Sequence, residues 1–144
     1  MLRVFTVMLA LLLTTGCATR MYSEPRGENA AVLAVDNQLS APASQGGGWQ
    51  MPMAQSETKA EIFMVDGRRV AEQGGGEVVR VSPGLRAIQV FADLQGVLRF
   101  GDFEYEFDRA GQYLVRISAD GDKDYRLQLV NESNPGKVLL QEDF

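Results

Sequence analysis

Side chains able to do chemistry are few in this 144-residue chain. It has no histidine and one cysteine, Cys17, which removes histidine-based triads, Cys–His nucleophile pairs, Cys/His zinc sites and any intramolecular disulfide. Three groupings remain. Asp120, Asp122 and Asp124 have the 1-3-5 spacing by which alternate carboxylates in a tight turn converge on calcium. Tyr125 stands where that loop needs glycine and Asn131 where it needs glutamate, so a solvated hairpin turn is the expected role. Glu104 and Glu106 fall on one face of a strand, about 7 Å apart from the ~3.4 Å rise per residue, near the separation of an acid/base glycosidase pair. A small sheet-built domain leaves little room for a sugar cleft. The expected reading is a wet sheet face, with Arg99, Arg116 or Arg126 as cross-strand partners. Trp49, Met51 and Met53, joined by Met21, offer thioether sulfur suited to Cu(I). The same trio is also an aromatic anchor beside adaptable methionines, a common protein-recognition surface. Trp49 folding back over an open end of its own domain is the alternative.

The elements around these groups begin with Met-Leu-Arg and an uninterrupted run from Val4 to Leu13. Ten such residues are too few to span ~30 Å of hydrocarbon as a helix, so the run reads as a secretory signal. It ends in Leu13-Thr-Thr-Gly-Cys17, which resembles the lipobox of bacterial lipoproteins, with Thr14 where that family prefers leucine and Gly16 correctly placed before the cysteine. The resemblance implies cleavage between Gly16 and Cys17, diacylglycerol on the Cys17 sulfur and an acyl chain on its new amino group. An ordinary secretory peptide that leaves a free cysteine is the alternative. Several acyl chains suffice for stable attachment, since each buried CH₂ contributes about 0.8 kcal/mol. Ala18 follows the cysteine where an aspartate would imply retention in the inner membrane, so the resemblance implies the periplasmic face of the outer membrane.

Composition narrows the rest. A hydrophobic fraction of 45% and a charged fraction of 23% are near globular averages, so the chain as a whole should bury a core. Cleavage would remove one of 14 basic side chains, Arg3, and none of the 19 acidic ones, moving the net charge from −5 to −6. Such a surface repels nucleic acid, and no nucleic-acid partner is expected.

Residues 17–29 hold Pro25, Gly27 and mostly polar neighbours without a period, and are expected to form a lipidated, flexible tether. The domain is expected over 30–144. Ala30 to Val35 reads as a short buried strand, and 37–58, with Pro42, Gly46-Gly-Gly48 and Pro52, as a long irregular loop. From Lys59 the pattern is β. Asp66-Gly67 between apolar runs predicts a type I′ hairpin. Ser82-Pro83-Gly84 predicts a second turn. Phe103-Glu-Tyr-Glu-Phe107 alternates without exception, and Tyr113–Ala119 and Tyr125–Leu129 alternate around a turn at Asp120–Asp124. No later segment has sustained helical spacing. The expected fold is therefore all-β, a small antiparallel β-sandwich of seven or eight strands, filled by Phe63, Phe91, Phe100, Phe103, Tyr105, Phe107 and Tyr113.

The order of Val65-Asp-Gly67, Val79-Arg-Val-Ser-Pro-Gly84 with Arg86-Ala-Ile-Gln-Val90, and Ala110-Gly-Gln-Tyr113 resembles small bacterial lipoproteins carrying a PEGA-like or transthyretin-like sandwich. Arg86 stands where those families often have histidine. The resemblance covers about residues 60–130 and implies a fold rather than an activity. The expected function is a non-enzymatic binding or accessory module for another envelope component, with membrane attachment through Cys17, partner contact through Trp49, Met51 and Met53, and no cofactor. The alternatives are a metal or glycan sensor and an envelope hydrolase using Glu104 and Glu106.

Overall fold

Alternation at period two, punctuated by glycine turns, dictates strands. In the computed structural model, which describes residues 21–39, 58–70, 76–120 and 124–144, regular structure is all β. The strands are β1 (Ala31–Gln38), β2 (Lys59–Val65), β3 (Arg68–Arg69), β4 (Val78–Val81), β5 (Gly84–Leu94), β6 (Val97–Phe107), β7 (Gln112–Asp120), β8 (Asp124–Asn131) and β9 (Asn134–Asp143). They form a five-stranded sheet, β4-β1-β7-β8-β9, and a four-stranded sheet, β3-β2-β5-β6. The buried faces of the two sheets share one core, with Leu33, Val115, Ile117, Leu127 and Leu129 from the first and Ile62, Ile88, Val90, Phe103 and Phe107 from the second.

The sheets are not wholly antiparallel. β1 pairs antiparallel with β4 but parallel with β7, from Val32↔Gln112 to Gln38↔Ser118. Hairpin turns force the antiparallel direction of β7-β8-β9, whereas β1 and β7 are far apart in the chain and joined through the opposite sheet, so no turn fixes their relative direction. The non-alternating apolar run at 30–35 is what an interior strand of this kind requires.

Turn chemistry sets the registers. Asp66 and Gly67 have φ of 50° and 71°, the two positive values of a type I′ turn. Gln95 and Gly96, at 55° and 86°, make the same turn between β5 and β6, which lets both strands run to 11 residues. The Gln-Gly pair went unnoticed in the sequence, and its strands are longer than expected. Arg86 holds the Pro83 turn in place, donating from Nε to the Ser82 carbonyl at 3.1 Å and from Nη2 to the Pro83 carbonyl at 3.2 Å. Its Nη1 meets Asp66 Oδ2 at 3.0 Å, and Asp66 Oδ1 accepts from the Ala87 amide. In this chain, then, Arg86 ties two turns together.

Of the expected aromatic core, Phe103, Phe107 and Tyr113 are buried and Tyr105 is partly so. Phe63, Phe91 and Phe100 stand outside it. Tyr113 packs edge-on against Phe107 at 5.1 Å, and its hydroxyl accepts from the Asp108 amide at 3.1 Å. That places the ring over Gly111, where a Cβ would lie 2.5 Å from Tyr113 Cε2. Gly111→Ala is expected to lower stability by about 1–3 kcal/mol through overpacking, read as a lower urea midpoint with an unchanged slope.

Residues 21–29 do not hang free of the domain. Tyr22 packs on the core, its amide donates to the Arg69 carbonyl at 2.8 Å, and its hydroxyl donates to the Arg80 carbonyl at 2.8 Å. Glu24 accepts from the Arg80 amide, and the Arg80 guanidinium donates to the Gly27 carbonyl. Since β3 and β4 are edge strands of different sheets, this segment is a strap across the gap between them. Composition concealed it because its partners, the Arg69 carbonyl and Arg80, are distant in the chain. Burial, with Asp66 and Glu24 nearby and Arg86 partly opposing them, pushes the Tyr22 phenol from 10 up to about 12. The fold thus favours the neutral phenol. This contribution is fully present below pH 10 and is lost as pH rises through about 12. Phenolate absorbance titrations of the wild type and Tyr22→Phe should differ by one group ionising near 12, and the substitution should cost about 1 kcal/mol in urea denaturation.

Candidate binding face

The outer face of the four-stranded sheet has an unusual composition. Inward Ile88, Val90 and Ala92 on β5 and Gly101, Phe103 and Phe107 on β6 leave the opposite parity to face water. On β6 that parity reads Leu98, Phe100, Asp102, Glu104, Glu106, so one strand carries an apolar stretch followed by an acidic one. Phe100 lies directly across from Phe91, with ring centroids 5.4 Å apart, and 5.2 Å edge-on from Phe63 of β2. Leu98 is 55% exposed and Phe100 49%. Arg69 reaches over Phe63, its guanidinium carbon 5.1 Å from the ring centre. With Lys59, Glu61 and Arg69 at the margin, the three phenylalanines line an open depression of about 330 Å³.

A second open depression, about 420 Å³, is lined in part by Ala87, Gln89, Asp102 and Glu104. Gln89 Nε2 donates to Asp102 Oδ1 at 2.8 Å, fixing that carboxylate. Glu104 and Glu106 share the exposed face as expected, opposite Ala87 and Leu85 respectively. Two of the arginines named as their partners are engaged elsewhere. Arg116 pairs with Asp36 at 3.0 Å, and Arg126 binds Asp120 and, at 3.1 Å, Asp143. The hydrogen bond that Arg126 donates to Asp143, together with the charge of Asp120, holds the Arg126 proton more tightly than usual.

Asp120 and Asp124 face each other across the start of the β7–β8 hairpin, with the Asp120 carboxylate taken by Arg126. Among the described residues no group of three His, Cys, Asp or Glu side chains is placed to hold a metal ion. Gly16, Cys17, Trp49, Met51, Met53 and Asp122 lie outside the described residues. Met21 is described and is 51% exposed at the start of the strap. No helix among the described residues is long and apolar enough to cross a membrane.

Of the seven aromatics expected as filling, Phe63, Phe91 and Phe100 form this outer cluster instead. The signal was available. Extending the parity of Phe103-Glu-Tyr-Glu-Phe107 back by one turn puts Phe100 in line with Glu104, on the wet side. No protein-family model matches the chain, no curated protein matches its sequence, and no solved structure matches its fold.

Proposed function

We propose that this protein is a lipid-anchored, non-enzymatic binding module on the periplasmic face of the outer membrane, a tethered β-sandwich serving another envelope component. The observation that supports the reading best is the outer row of β6. It joins an exposed apolar cluster to an acidic run on an edge strand that keeps unbroken register with β5 from Gly84↔Phe107 to Leu94↔Val97. Edge strands accept a further strand through backbone hydrogen bonds, while alternate side chains supply selectivity. Charge complementarity selects the occupant: an extended polypeptide whose alternate residues are basic opposite Asp102, Glu104 and Glu106 and apolar opposite Phe100 and Leu98. Trp49, Met51 and Met53 belong to the same proposal as a second partner contact. Their segment re-enters at Thr58 and Lys59, and Lys59 lines the phenylalanine depression. The lipobox resemblance supports attachment through Cys17.

A synthetic peptide of alternating lysine and threonine ending in Val-Thr-Phe is the direct probe. Titration should shift the amides of residues 97–107, weaken as salt is added, and lose about tenfold in affinity, or about 1.4 kcal/mol, in Phe100→Asp. Equal binding of a glutamate-substituted peptide would sink the assignment. Anchoring is tested separately: Cys17→Ser should abolish incorporation of labelled palmitate and release the protein from the membrane fraction.

A further inference from the structure

The strap has a geometric consequence for anchoring. On the reading that Cys17 carries the lipid, only four residue steps separate it from Met21, where the strap begins, so its Cα lies within about 14 Å of Met21 however the intervening chain runs. A flexible coil from 17 to 29 would lift the domain well clear of the headgroups. Tyr22 forbids this by binding the Arg69 and Arg80 carbonyls. We infer that the strap holds the domain against the bilayer in one orientation, with its β3/β4 side facing the lipid headgroups and the β6 and β9 edges pointing away.

Charge supports the same orientation. On the strap side Arg26, Arg68, Arg69, Arg80 and Arg86 stand against Glu24, Glu28, Asp66 and Glu77, which leaves this side with one positive charge in excess. On β6 and β9 with their flanks, Arg99, Arg109 and Lys137 are outnumbered by Asp102, Glu104, Glu106, Asp108, Glu132, Glu142 and Asp143. An anionic headgroup surface repels the second side and not the first. Met21, 51% exposed, and Val78 of β4, 54% exposed, add apolar surface where the chain meets the membrane. The opposite edge, β9, lies four strands from β4, about 19 Å at ~4.8 Å per strand. A probe there sits beyond the headgroup layer while one beside the strap sits in it.

The test uses the full lipidated protein in vesicles of phosphatidylethanolamine and phosphatidylglycerol that contain a headgroup nitroxide lipid. A fluorophore is attached to Arg68→Cys or to Lys137→Cys, both exposed positions, with Cys17 blocked by its own lipid. Quenching should be several-fold stronger at 68 than at 137. Inserting a Gly-Ser segment between Thr19 and Arg20, which leaves the strap intact, should remove the difference. Equal quenching at both positions in protein whose mass shows acylated Cys17 overturns the orientation alone. An unacylated Cys17 overturns the anchor reading and the orientation with it.

Discussion

A phenol buried away from water must find its hydrogen-bond partner inside the protein, and this constraint sets the joints of the domain. Tyr125 of β8 donates to the Val97 carbonyl at 2.6 Å, and Tyr113 of β7 binds Asp108, so the five-stranded sheet grips β6 just at its start and just past its end. Tyr22 performs the same service on the opposite side, where the strap meets β4. Each ring fills core volume and each hydroxyl reaches across to a backbone group of another element. Gly111 and Gly101 lack side chains because the rings of Tyr113 and Phe144 occupy that space. Two sheets pinned in this way cannot slide, and the outer row of β6 is presented as a fixed surface.

How much of this was legible in the sequence depends on how local the cause was. Asp66-Gly67 and Pro83-Gly84 announce their turns because positive φ is a property of the residues themselves. The alternation of β7 and β8 is equally local, and both strands stand within two residues of the expected limits. The direction of β1 was not legible, because it follows from which distant strand lies beside it. The same holds for the strap, where each bond of Tyr22, Glu24 and Gly27 needs a backbone group or side chain of β3 or β4 that lies more than 40 residues away in the chain. The phenylalanine cluster failed for another reason. Aromatic residues are assigned to a core by type, and only parity, carried across Gly101 from the alternating stretch, reveals that Phe100 faces out.

Placement of β1 organises the remaining chain. It sits between β4 and β7, so the segment just before it is delivered to the β4 edge, where Arg80 receives it. The strand that completes the five-stranded sheet therefore also positions the strap. At the end of β1 the Asn37 side chain donates to the Thr58 carbonyl at 3.2 Å and accepts from the Leu39 amide, tying β1 to the start of β2.

The two edges on the far side are built differently. Pairing of β9 with β8 slips at Leu129/Val130 and again at Val130/Asn131, whereas β6 keeps step with β5 throughout. Irregular pairing twists an edge and spoils it as a template, while a regular edge invites another copy of itself. At high concentration the unspoiled edge would be the place where copies of the chain polymerise. The acidic half of β6 opposes this, since overlap of Asp102, Glu104 and Glu106 with the same stretch of a neighbour brings like charges face to face. The charge on this edge therefore opposes pairing with its own copy and not pairing with a chain of opposite charge.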